Sequence, residues 1–145
     1  MKTTILITAI IICSYIFVPF NGQAQMQGKK YDNPQWKTVE MLEFKHDKMD
    51  RVREIIKDYF IKAAYKAGSR KPSMILQPAT GEWNLIIVWN MNKGLEQLNW
   101  ETNPDDIKWM TAMIEIAGSP DKAQAILNEW SSLIVRSTSY LCRQL

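Results

Sequence analysis

Residues 82–91 read EWNLIIVWNM, and the order of side chains along this stretch decides the fold. Strand residues alternate between faces. Trp83, Leu85, Ile87, Trp89 and Met91 therefore share one face, and Asn84, Ile86, Val88 and Asn90 share the other. The first face is wholly apolar. The second is apolar in the middle and amide at both ends. Such a strand needs cover on one side along its length and on the other side at its centre. Just upstream, Pro78-Ala79-Thr80-Gly81 is turn chemistry, and Ser73 to Gln77 (SMILQ) reads as a short strand. The two runs predict an antiparallel hairpin.

Further upstream, Thr38 to Lys45 (TVEMLEFK) is a third strand. Val39, Met41, Glu43 and Lys45 point one way, and Glu40, Leu42, Phe44 and His46 the other. Asp47 has the chemistry of a helix N-cap. Met49, Val52, Ile55, Ile56, Tyr59, Phe60, Ala63 and Ala67 then recur at spacings of three and four, which predicts a helix of about five turns. Gly68 ends it in the left-handed conformation.

Downstream, residues 92–103 read as a loop carrying Leu95, Leu98 and Trp100. Asn103-Pro104 is an N-cap followed by proline at the first helical position, with Asp105 and Asp106 set against the helix dipole. Gly118 stops that helix, and Ser119-Pro120-Asp121 starts another by the same chemistry. Residues 134–145 (IVRSTSYLCRQL) are the one ambiguous segment. Their spacing favours continued helix to Leu141, while their β-branched content also allows a final strand.

The predicted order is β-α-β-β-α-α. It implies an α+β fold: a small, mainly antiparallel sheet of three or four strands with the helices packed on one face. The crossover through the first helix makes strands one and two parallel, with room for another strand between them. Helices on one face leave the other face of an apolar strand in water. That face should pack on something. A second copy, forming a homodimer through one sheet face, is the simplest occupant. The C-terminal segment or the 92–103 loop are the alternatives.

The strand-helix-hairpin-helix order, the start VEMLEFK and the hairpin TGEWNLIIVW resemble the dimeric α/β-barrel superfamily of ferredoxin-like domains. The resemblance covers about residues 36–135. It implies two sheets packed face to face around a central cavity, as in small cofactor-free monooxygenases and related ligand-binding domains. It matches no catalytic residue, and the helical pair at 104–134 is longer than the usual single helix.

The N-terminus supplies an address. Lys2 precedes a nearly unbroken apolar run of 14 residues, Ile5 to Val18, and Gly22-Gln23-Ala24 offers small residues for cleavage. This is the layout of a signal peptide over residues 1–24, and the run is short for a membrane span. The expected organisation is a signal peptide at 1–24, a flexible lead-in at 25–35 and one α+β domain at 36–145. The mature protein would be exported, to the periplasm or outside the cell, and would have no membrane segment. Cleavage removes Cys13, one of two cysteines, so Cys142 has no internal disulfide partner. The small positive charge is spread among acids, as in DKMDRVREIIKDYFIK, which argues against nucleic acid as a partner.

Glycine-rich phosphate loops, Rossmann fingerprints and calcium loops are absent from the sequence, and no cofactor or metal is expected. His46 is the only histidine, so a His-rich metal site is excluded. Glu43, Lys45 and His46 form the one compact group of acid, cation and base near predicted apolar surface. Glu43 or His46 are the candidates for proton transfer. Gln77, Asn84 and Asn90 are amides beside apolar strand faces, suited to hydrogen-bonding a polar ligand group. Of the six tryptophans, Trp83, Trp89 and Trp130 read as core, and Trp100, with Trp36, as ligand surface. Lys45, Gln77, Asn84, Asn90 and Trp100 are thus the candidate ligand-binding residues. The leading functional expectation is a secreted homodimer that binds a small apolar or amphipathic ligand beside its sheet. A cofactor-independent enzyme using Glu43 or His46 is the alternative, and an envelope protein-interaction module is the third.

Overall fold

The computed structural model describes residues 28–145, so the expected signal peptide, with Cys13, lies outside the described residues. Residues 28–35 are exposed and carry neither helix nor strand, and the folded unit runs from Asn33 to Leu145. It contains β1 (Trp36–Phe44), α1 (Met49–Ile55), a π turn (Ile56–Phe60), α2 (Ile61–Ala67), β2 (Pro72–Leu76), β3 (Leu85–Met91), a 3-10 turn (Gly94–Asn99), α3 (Pro104–Ala117), α4 (Pro120–Leu133) and β4 (Ile134–Arg143). The sheet order is β2-β3-β1-β4, with every neighbouring pair antiparallel. The parallel pair β1 and β2 is therefore separated by β3.

Three local expectations change. Residues 134–143 form a strand, not a helix. β4 pairs with β1 from Phe44↔Ile134 to Trp36↔Arg143. Its β-branched residues suit a pleated surface, and β1 would otherwise be an unpaired edge. Asp47 is not an N-cap: it takes a left-handed φ of 64°, and Lys48 precedes α1 with no side-chain cap bond. Asp tolerates that conformation better than most residues, and it turns the chain sharply from β1 into the helix. The predicted single helix is interrupted by the π turn. Its end is as expected. Gly68 sits at φ 58°, its N–H donates to the Tyr65 carbonyl, and the Ser69 N–H donates to Ala64. That closure satisfies carbonyls the helix end would leave free.

The core lies between the sheet and the helices. Leu42 and Phe44 of β1, and Leu85, Ile87 and Met91 of β3, are buried on the helix side. Val52, Ile55 and Ala63 face them from the first helical stretch, Ala112 and Met113 from α3, and Ala123, Ile126 and Leu133 from α4. Small side chains let the helices approach closely. Aromatic rings fill what remains: Trp130 meets Phe44 and Phe60 edge-on, each at 5.0 Å between centroids.

The opposite face carries no helix. Cross-strand pairs Val39↔Val88, Met41↔Ile86, Val39↔Tyr140, Met74↔Val88 and Leu76↔Ile86 place these apolar side chains together on it. Met74, Leu76 and Tyr140 are exposed. The C-terminal segment extends this sheet as an edge strand and does not fold across it.

Arg51 joins α1 to α4. Its Nε and Nη2 donate to the two Glu129 carboxylate oxygens at 2.7 and 2.8 Å. The bond from Arg51 holds the Glu129 carboxyl below its usual range. In the unfolded chain it returns to the ordinary carboxylate value. The pair therefore stabilises the fold above that value, and the contribution is lost as pH falls through the folded-state value. Glu129 is 37% exposed, so the effect is small. Glu129→Gln is expected to flatten the acid limb of the stability curve while changing neutral stability little, as measured by urea unfolding at stepped pH. Ile55 is fully buried, and Ile55→Ala should lower unfolding free energy by about 2–5 kcal/mol in the same assay.

Candidate functional site

Two concavities flank the sheet. The first, of about 500 Å³, lies on the helix side. Its floor is Glu40 of β1, Ile75 of β2, and Ile87 and Trp89 of β3. The π turn contributes Ile56 and Phe60, α2 contributes Ala64 and Tyr65, and α3 and α4 contribute Trp109 and Trp130. The Trp109 Nε1–H donates to the Phe60 carbonyl at 3.1 Å, which locks that ring in the wall. The segment leaving α2 closes one side with Ser69, Arg70 and Lys71. The Arg70 guanidinium lies 5.0 Å from the Trp89 ring centroid, and the Lys71 ammonium 4.0 Å from that of Tyr65. Ser69 is 8% exposed. The Ser69 hydroxyl and the Trp89 indole nitrogen are buried without a hydrogen-bond partner. Buried polar atoms are rarely left so.

The second concavity, of about 630 Å³, brings together Glu43, Lys45, His46, Asp47, Glu82, Asn84 and Arg136. The expected grouping of Glu43, Lys45 and His46 is thus present, with Asn84 added. Its charges are largely engaged with one another. Arg136 Nε donates to Glu43 at 3.1 Å, its Nη2 donates to Glu82 at 2.9 Å, and its guanidinium lies 4.5 Å from the Trp83 ring centroid. His46 is 97% exposed and sits 3.2 Å from the Asp47 carboxylate. Asn84 ties the hairpin to β1: its Oδ1 accepts the Phe44 N–H at 2.6 Å, and its own N–H donates to the Leu42 carbonyl.

The remaining candidates are dispersed. Gln77 accepts a bond from Arg53 on the exposed surface. Asn90 is exposed opposite Lys37 on the open sheet face. Trp100 is exposed and lines neither concavity.

Sequence reasoning missed the first cavity. Trp89 and Trp130 read as core, which they partly are, but with Phe60 and Trp109 they also wall a space. The four rings come from three separate helical segments and a strand. No spacing in the chain announces that they meet. The one legible hint was tryptophan content itself.

No protein-family profile matches the sequence, and no curated protein matches it either. Among solved structures, a NIPSNAP family protein from Agrobacterium tumefaciens str. C58 superposes with a TM-score of 0.50 at 13% identity, over 82% of this chain and 93% of that one. A NIPSNAP-like domain protein from Burkholderia xenovorans gives 0.48 at 9% identity, over 77% and 85%. A further NIPSNAP family protein from Agrobacterium tumefaciens gives 0.46 at 8% identity, over 79% and 91%. Identity this low speaks to fold alone. The first likeness agrees with the class the strand order defines, a small α+β domain with helices on one side of a four-stranded antiparallel sheet.

Asn84→Ala strands the Phe44 N–H and should cost about 1–3 kcal/mol. Glu43→Gln weakens only a solvent-screened ion pair and should cost less than about 1 kcal/mol. Urea unfolding of the two variants side by side checks this ranking.

Proposed function

We propose that this chain is an exported small domain that holds a small amphipathic ligand in the cavity between its sheet and helices and pairs with a second copy through the open sheet face. The observation that carries the ligand reading is the cavity of about 500 Å³, with five aromatic rings in its lining and two unpartnered buried polar atoms in residues along it. Ligand sites are typically mostly apolar, with a few placed polar groups, and span roughly 300–1,000 Å³. The pairing reading draws on the contiguous apolar side chains of Val39, Met41, Met74, Leu76, Ile86, Val88 and Tyr140. A patch of this kind marks an interface more often than free surface. Isologous contact of that face with itself closes a twofold dimer. Export rests on the signal-peptide layout of residues 1–24.

A proton-transfer role for Glu43 or His46 is the second reading, favoured by their shared polar concavity. The Arg136 bond to Glu43 weighs against it, because that carboxylate is already engaged in an ion pair.

Light scattering on residues 25–145 is expected to return the mass of a dimer. Val88→Asp should return a monomer with an unchanged circular dichroism spectrum. A monomeric wild-type chain at micromolar concentration removes the pairing reading. The ligand reading is checked separately by quenching of tryptophan fluorescence with amphipathic probes.

A further inference from the structure

The polar groups beside the cavity specify which end of an amphipathic ligand binds where. We propose that the cavity takes an apolar monocarboxylate, with its carboxylate held by Ser69, Trp89 and Arg70 and its apolar body against Phe60, Trp109 and Trp130; this rests on the ligand reading above.

Three observations carry it. First, Trp89 Nε1 is buried and unpartnered. An indole nitrogen only donates, so whatever satisfies it must bring an acceptor. Second, Ser69, 8% exposed, has an unpartnered hydroxyl. The closure of α2 fixes its backbone, with the Ser69 N–H on the Ala64 carbonyl. Rotation about χ1 alone aims the hydroxyl. Third, the guanidinium of Arg70 lies over the Trp89 ring, and among the described residues no carboxylate is within ion-pairing distance of it. Three donors from consecutive positions Ser69 and Arg70 and the adjacent rung at Trp89, which pairs with Pro72, suit a two-oxygen acceptor.

The competing chemistry is a cation. Glu40, Asp105 and Asp106 also line the cavity, and aromatic rings attract cations. Two features argue against it. An ammonium has no lone pair for Trp89 Nε1 or for a donating serine. Asp105 and Asp106 stand in the first turn of α3, where the helix dipole already favours them, and Asp105 lies 3.6 Å from Lys108. Glu40 remains as an acid on the floor, paired across the strands with Ile87.

The experiment compares decanoate, decanol and decylamine, which share one apolar body, by calorimetry and tryptophan fluorescence on residues 25–145. Decanoate is expected to bind about tenfold or more tightly than decanol, and decylamine more weakly than either. Trp89→Phe keeps the ring and removes the N–H. It should weaken decanoate several-fold and leave decanol unchanged, as should Ser69→Ala; Arg70→Gln should do the same with a larger loss. Equal binding of decanoate and decanol, tighter binding of decylamine, or decanoate affinity indifferent to all three substitutions overturns the headgroup assignment. Failure of all three probes to bind overturns the ligand reading itself. Unchanged circular dichroism and urea midpoints in the variants exclude misfolding as the cause of a loss.

Discussion

A strand that is apolar on both sides cannot be satisfied by one layer of helices. β1 and β3 occupy the centre of the sheet, and each carries apolar residues toward both faces. On one side Leu42, Phe44, Leu85 and Ile87 disappear beneath the helices. On the other, Val39, Met41, Ile86 and Val88 form the middle of an uncovered surface. With every neighbouring pair antiparallel and β4 paired at the sheet's edge, no described helix or strand crosses that face. The apolar face and the fold are two results of the same alternation.

The helix layer is shaped by the sizes of its side chains. Ala63, Ala64, Ala112 and Ala123 allow close approach where they are buried. Phe60, Trp109 and Trp130 meet edge-to-face, at 5.4 and 5.0 Å between centroids. Rings held at such angles cannot tile a sheet floor without gaps, and the π turn widens the helix at the same place. The result is a cavity beside the core, bounded by the short link from α2 to β2. That link matters because it must leave a helix and enter an edge strand within four residues. The glycine closure that permits this also sets Ser69 and Arg70 at the cavity's side.

The polar concavity shows how little can be concluded from proximity in sequence. Glu43, Lys45 and His46 are near one another because the chain makes them so. Arg136, which comes from the far end of the chain, engages Glu43. It reaches that position only because β4 pairs with β1, with Glu43 opposite Arg136. A group that is a proton-transfer candidate in the sequence is thereby one half of an ion pair. Asn84 changes character in the same way, from a candidate ligand-binding amide to a latch on the Phe44 N–H.

The sequence alone determined the local elements, the two-faced character of residues 82–91, the antiparallel hairpin, the proline-led starts of α3 and α4 and the glycine stop after α2. Each is governed by residues within a few positions of one another, through alternation, helical spacing and capping. The tertiary structure decided the rest. Residues 134–143 became a strand because β1 offered them an edge, an influence 90 or more residues away in the chain. Phe60, Trp89, Trp109 and Trp130 became a cavity wall because packing brought three helical segments over one strand. Side-chain periodicity reports which face of an element is apolar. It does not report how completely a neighbour fills that face, and the cavity lies in that difference.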